Sequence, residues 1–196
     1  MRALLLARHG ESEYSAKRLV NGDPGVSCPL TSAGRRQARA LGRIVADEQI
    51  DLCAITEFER VRETAELALA DRDVPFIVVP ELNDPRYGEF EGGALDVYRE
   101  WIVGRGPLEA PAGGEHRGEI VRRYVAGLRR LLDRPERTVL LVAHSLPIAY
   151  LRDAAAGTAP RSKMEQVEYA TVLTLEREDV ERAVDVLELW AASPAF

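Results

Sequence analysis

The sequence predicts an α/β fold, a three-layer sandwich with a mostly parallel central sheet and a small lid insertion. Short, nearly continuous apolar runs recur at Ala3–Ala7, Leu52–Ile55, Phe76–Val79 and Val139–Ala143, which is how strands buried on both faces read. Segments of helical spacing separate them, and strands alternating with helices build a largely parallel sheet. The 196 residues, 46% hydrophobic and 30% charged, suit one domain with a sizeable core, spanning 1–196, and exclude disorder or a fibrous repeat.

In chain order, the first strand is followed by a helix that Thr31 can cap, running to about Asp47. The second strand leads into a helix over Glu59–Ala70, and the third strand follows. From about residue 83 to 115 the composition turns rich in Gly and Pro, including Gly88, Gly92, Gly93, Gly113 and Gly114. This stretch reads as a lid, too short for a core of its own, with a helix over Ala94–Val103. Ile120, Val121, Tyr124, Val125, Leu128, Leu131 and Leu132 then fall on one helical face. The fourth strand precedes a helix over Leu146–Ala156, and Thr171–Leu175 supplies another strand. Ala183–Trp190 alternates well enough to be its hairpin partner, with a helix as the alternative.

A net charge of −6 and a pI near 5.3 argue against binding nucleic acid or an anionic membrane. An anionic substrate would need a locally basic pocket. Cys28 and Cys53 follow no metal-ligand or disulfide spacing and read as reduced thiols. The apolar run at Leu4-Leu5-Leu6 is too short for a signal peptide, and no stretch approaches a spanning helix, so a cytoplasmic location is expected.

No GxGxxG or Walker loop is present, which removes the usual nucleotide-binding signatures. What the first strand delivers at its C-terminal end is Arg8-His9-Gly10-Glu11-Ser12. In an open α/β sheet that end is where ligands bind. An arginine there offers a fixed cation for phosphate, and the histidine an imidazole that titrates near neutrality.

This string resembles the signature of the histidine phosphatase superfamily, the phosphoglycerate-mutase-like proteins, in which that histidine becomes phosphorylated. Four further blocks are similar to the family pattern. Leu30, Thr31, Gly34, Gln37 and Ala38 match Leu-Thr-x-x-Gly-x-x-Gln-Ala. Thr56, Arg60, Thr64 and Ala65 follow the second strand, and Leu82, Asp84, Gly88 and Gly92 follow the third. His144 directly follows the fourth strand. The match spans about Ala3 to Leu151.

The resemblance implies a phosphatase that hydrolyses phosphomonoesters through a phosphohistidine on His9. It implies catalytic roles for His9, Asp84, His144, Arg8 and Arg60, with Asp84 as the acid. Phosphate contacts would come from Arg8, Arg60, Ser15, Arg18, Asn21, Gly22 and Ser145. No cofactor and no metal are implied. The partner would be a small phosphorylated substrate, and a homodimer fits the resemblance.

The chain departs from the pattern in places. Ser15 stands where many members have Asn, Ser145 replaces the usual Gly, and Asp84-Pro85 replaces Glu-Arg, which leaves Glu89 and Glu91 as spare acids. His116 or Glu115 reads either as a substrate contact on the lid or as a polar helix start. Arg122 and Arg123 read as a solvated face, and Tyr87, Phe90, Tyr98 and Trp101 as pocket lining or, by default, as lid packing. A nucleophile elbow at Ser145 would need a later histidine, and none follows. Two alternatives to the phosphatase remain: a phosphoglycerate-mutase-type phosphoryl transferase, and a silent member that binds a phosphorylated ligand. The short lid favours hydrolysis over transfer.

Overall fold

A computed structural model describes residues 1–196. Five strands form the sheet: β1 (Ala3–Arg8), β2 (Leu52–Ile55), β3 (Phe76–Val78), β4 (Thr138–Ala143) and β5 (Val172–Glu176). Their order is β3-β2-β4-β1-β5, all parallel except β5, which runs antiparallel along β1.

Alternate residues along the central strands point to opposite faces, and the two faces carry separate cores. Leu4, Leu6, Leu52, Ala54, Val139 and Leu141 pack on one side, beneath α5 (Arg117–Leu132), α6 (Ser145–Ala155) and α7 (Arg177–Ala192). Leu5, Ala7, Cys53, Ile55, Leu140 and Val142 pack on the other, beneath α2 (Ser32–Ile44) and α3 (Glu59–Ala68). That arrangement is the three-layer sandwich, and it explains why β1, β2 and β4 read as unbroken apolar runs: every residue of the three is buried.

Two expectations are corrected. Ala183–Trp190 is not a strand but part of α7, where Val180, Ala183, Val184, Leu187 and Trp190 are buried at helical spacing. Glu176 and Asp179 form the capping box that starts it. Nor is β3 buried on both faces. It is the sheet edge, with Phe76 exposed and its neighbours half-buried. A one-turn helix, α1 (Glu13–Ala16), also forms behind the first strand, capped by Ser12.

The lid region holds α4 (Leu95–Ile102) and a short 3₁₀ turn at Gly88–Phe90. Its aromatics pack on one another: Tyr98 meets Tyr87 edge-on at 4.8 Å between ring centroids and stacks on Trp101 at 6.3 Å. Isolated pairing between Leu19 and Ala94 ties this region back to the loop after β1.

Candidate active site

Parallel register sets the site. Arg8 of β1 lies opposite Ala143 of β4, so His9 and His144 leave adjacent strands at the same level, and the His9 N–H donates to the Ala143 carbonyl at 3.0 Å. β2 is the other neighbour of β4, and Thr56 follows it. The two imidazoles stand edge to face, 5.4 Å between centroids, and both are buried.

His9 Nδ1 lies 2.7 Å from the Gly10 carbonyl oxygen. A carbonyl only accepts, so Nδ1 carries the ring proton and Nε2 presents a lone pair. Arg60 Nε donates toward that lone pair at 3.3 Å. Burial first, then the positive charges of Arg60 and Arg8, hold the His9 pKa well below its ordinary value. His9 is thus a neutral imidazole with its nucleophilic nitrogen among cations.

Arg60 comes from the first turn of α3 and connects the other groups. Its Nη1 donates to the Asn21 side-chain oxygen, and its Nη2 faces the Asn21 carbonyl at 3.1 Å, Asp84 Oδ2 at 3.2 Å and His144 Nδ1 at 3.3 Å. Its guanidinium carbon sits 4.2 Å over the centre of the Phe58 ring. Arg8 stacks on the Tyr169 ring at 3.8 Å and donates from Nη1 to the Val167 carbonyl at 2.7 Å. His144 is fully enclosed, with Nε2 2.9 Å from the Thr56 hydroxyl. Burial, then Arg60, His9 and Arg8, keep it neutral as well. Asp84 Oδ2 lies 3.4 Å from His144 Nδ1. Burial pushes the Asp84 carboxyl up, against the opposing pull of Arg60 and Arg8, which favours a proton-carrying acid beside two cations.

The motif residues outside this cluster hold it in place. Thr31 caps α2 and donates to Glu11 Oε1 at 2.7 Å, while Gln37 accepts from the Glu11 N–H at 2.8 Å. Gly34 lets α2 touch the loop: a Cβ there would sit 2.0 Å from the Glu11 carbonyl oxygen. Thr64 accepts from the Gly10 N–H at 3.0 Å and donates to the Arg60 carbonyl at 2.7 Å, joining the His9 loop to α3.

The remaining sequence candidates divide. Asn21 is buried and holds Arg60. Ser15 lines the cleft and meets Ser12 at 2.9 Å through their hydroxyls. Arg18 reaches the cleft mouth, where it pairs with Asp96. The Gly22 N–H donates to Glu91 at 2.9 Å, and Ser145 Oγ accepts from the Val167 N–H at 2.9 Å. Glu91 also accepts from the Tyr87 N–H, and Glu89 from the Ala112 N–H, so both bind lid backbone outside the main cleft. His116 caps α5 in a capping box with Glu119.

Arg123 corrects the reading of a solvated face. It is largely buried and donates to Glu115 Oε2 at 2.9 Å and to the carbonyls of Glu81 and Asn83 at 2.8 and 2.9 Å. It thereby clamps the loop that carries Asp84. Its spacing of three from Ile120 placed it beside the buried stripe, the signal that could have found it. Gln166, Val167 and Tyr169 around Arg8 carried no such signal, because they come from an irregular loop.

These groups open into one cleft of about 1410 Å³, lined by Arg8, His9, Asn21, Arg60 and Asp84 at one end and by Tyr98, Arg117 and residues 161–169 beyond. No three His, Cys, Asp or Glu side chains converge as metal ligands. No helix is long and apolar enough to cross a membrane.

Comparison with known proteins agrees with this geometry. The profile of the histidine phosphatase superfamily (branch 1) matches residues 4–189. The chain is 27% identical over 177 residues to the uncharacterized phosphatase PhoE of Bacillus subtilis, covering 90% of this chain and 89% of that one. It is 36% identical over 160 residues to a 2,3-bisphosphoglycerate-dependent phosphoglycerate mutase of a Methylobacterium species, covering 73% and 75%. Among solved structures, the alpha-ribazole phosphatase from Shigella flexneri superposes with a TM-score of 0.72 at 27% identity, over 88% of this chain and 89% of that one.

Proposed function

Because the chain belongs to branch 1 of the histidine phosphatase superfamily, we propose that it hydrolyses small phosphomonoesters through a phosphohistidine on His9. The observation that carries the reading is the neutral His9, its Nε2 lone pair facing Arg60 while Nδ1 is committed to Gly10.

In the first step Nε2 attacks phosphorus in line, the P–N bond forms, and the bond to the leaving oxygen breaks. Asp84, raised by burial, gives that oxygen its proton. In the second step water attacks the same phosphorus, and the Asp84 carboxylate takes its proton. The P–N bond breaks, inorganic phosphate leaves, and Nε2 regains its lone pair. Arg8 and Arg60 offset charge on the equatorial oxygens throughout, and the neutral His144 adds a hydrogen bond there rather than a charge. Their preorganisation by Asn21, Tyr169 and Thr56 supports this role.

Transfer back to an organic acceptor, the mutase outcome, requires water to be kept from the phosphohistidine. Arg18 and Asp96 at the cleft mouth are 61% and 57% exposed, which favours water as the acceptor.

Rapid quench with a ³²P-labelled monoester tests the reading. Wild type is expected to yield an acid-labile, base-stable phosphoprotein and free phosphate, and His9→Ala neither. A labelled His9→Ala protein, or turnover by that variant, would overturn the assignment.

A further inference from the structure

Most cations along the cleft are already paired within the chain. Arg18 pairs with Asp96, Arg161 with Asp153 at 2.8 Å, and Arg60 reaches Asp84 at 3.2 Å. Arg117 is different. It opens α5 with only 9% of its surface exposed, and it lies on the cleft wall with Tyr87 and Tyr98. Its Nη1 donates to the Tyr150 hydroxyl at 3.2 Å, while its buried Nε has no partner. Glu115, two positions earlier in the chain, pairs with Arg123 and Arg86 instead.

A guanidinium stays charged at any physiological pH, and a buried charge without a counter-charge is costly. Structural arginines usually relieve that cost with a carboxylate or with carbonyls, as Arg123 does six residues further along α5. Arg117 has one neutral hydroxyl. Its Nη2 also makes no hydrogen bond within the chain and, unlike Nε, is not sealed off, so on the cleft wall it is the atom that can donate a charge-assisted hydrogen bond to an oxyanion. The phosphoryl end of the cleft is supplied separately by Arg8, Arg60 and His144, so Arg117 is free for another part of the bound molecule.

We propose that the cleft takes phosphomonoesters whose leaving group carries a second oxyanion, carboxylate or phosphoryl, and that Arg117 reads it. This deepens the phosphatase reading of the same site and rests on it. Arg117 thus determines specificity and takes no part in the chemical step at His9. Tyr87 and Tyr98 would wall the intervening part of the leaving group.

The test is a chain-length series: ω-carboxyalkyl phosphates with two to six methylenes against ω-hydroxyalkyl phosphates of equal length, with ω-phosphonoalkyl phosphates as a third arm. At one or more lengths kcat/KM is expected to favour an anionic member over its hydroxyl counterpart by about tenfold or more, the scale of one charge-assisted contact. Comparison of the carboxylate and phosphonate arms identifies which oxyanion the site takes. Arg117→Gln is expected to reduce that ratio at least fivefold, mainly through KM, and Arg117→Lys to keep part of it. If Arg117→Gln does not fold, as judged by circular dichroism, the loss in Arg117→Lys carries the test. Equal kcat/KM for both series at every length, or a ratio unmoved in these variants, would overturn the proposal. The phosphatase reading is checked separately, by turnover of 4-nitrophenyl phosphate. Should that fail, calorimetric binding of the matching ω-carboxyalkyl and ω-hydroxyalkyl phosphonates gives the same ratio without chemistry, and the same outcomes apply.

Discussion

His9 can attack phosphorus only while Nε2 keeps its lone pair, and Asp84 can release a leaving group only while it keeps its proton. The fold moves both pKa values in the useful direction: burial and two arginines depress His9, and burial raises Asp84. The rate of His9 phosphorylation should therefore persist below pH 6.5, the ordinary histidine value, and its basic limb should reflect Asp84. Asp84→Asn removes that limb. It is expected to slow hydrolysis of alkyl phosphates by roughly 10²–10⁴-fold, and that of 4-nitrophenyl phosphate much less, because a good leaving group needs no proton. Stopped-flow release across pH 4.5–8.5 measures both. Equal losses for the two esters would remove Asp84 as the acid.

At the scale of elements, two contacts decide whether the catalytic groups meet. The first is the passage of α2 against the His9 loop at Gly34. Gly34→Ala forces a methyl to within 2.0 Å of the Glu11 carbonyl oxygen, so the loop or the helix must shift. We expect destabilisation of about 1–3 kcal/mol, as for other overpacked sites, with activity lost in the fraction that still folds. Thermal melts and turnover of the same sample check this. The second is the clamp on the acid loop. Arg123→Met leaves Glu115, whose side chain is 4% exposed, with only the Arg86 backbone N–H at 2.9 Å and the Arg86 guanidinium at 3.8 Å, and removing one partner of a buried pair costs up to about 3–5 kcal/mol. Glu115→Gln in the same chain should recover part of the stability. Activity toward alkyl phosphates should stay low, since the carbonyls of Glu81 and Asn83 still lose their donor. Full recovery of both would show that Arg123 does not position Asp84.

Over the whole molecule, the net charge of −6 coexists with a cleft floor of Arg8 and Arg60. Anionic substrates thus meet a local reversal of sign in an otherwise acidic surface. The two buried histidines also couple stability to pH. Both have folded pKa values held below 6.5, so below that pH the unfolded chain takes up protons that the folded chain refuses. Stability is complete above the unfolded value and is lost as pH falls beneath it, by up to about 1.4 kcal/mol per pH unit for each histidine. Denaturant melts between pH 7.5 and 5.0 should show this slope, and His9→Asn with His144→Gln should flatten it. An unchanged slope in the double variant would assign the acid sensitivity to other groups.

The sheet was legible in the sequence because β1, β2 and β4 bury both faces, and a strand with no polar face leaves an unmistakable apolar run. The site's core was legible for a related reason: His9, Thr56, Asp84 and His144 follow strands directly or closely, where parallel sheets gather ligands. The helical nature of residues 183–190 was less so, since a short amphipathic stretch fits both periods until the capping box at Glu176 is seen. Arg123 and Arg117 belong to one helix and share one residue type, yet one clamps carbonyls and the other faces a cleft. That difference depends on what α4, α6 and the Asp84 loop bring against α5, contacts between residues far apart in the chain. Local pattern determined the layers and the strand-end chemistry. Which arginines are paired, and which are left for a substrate, only tertiary packing decided.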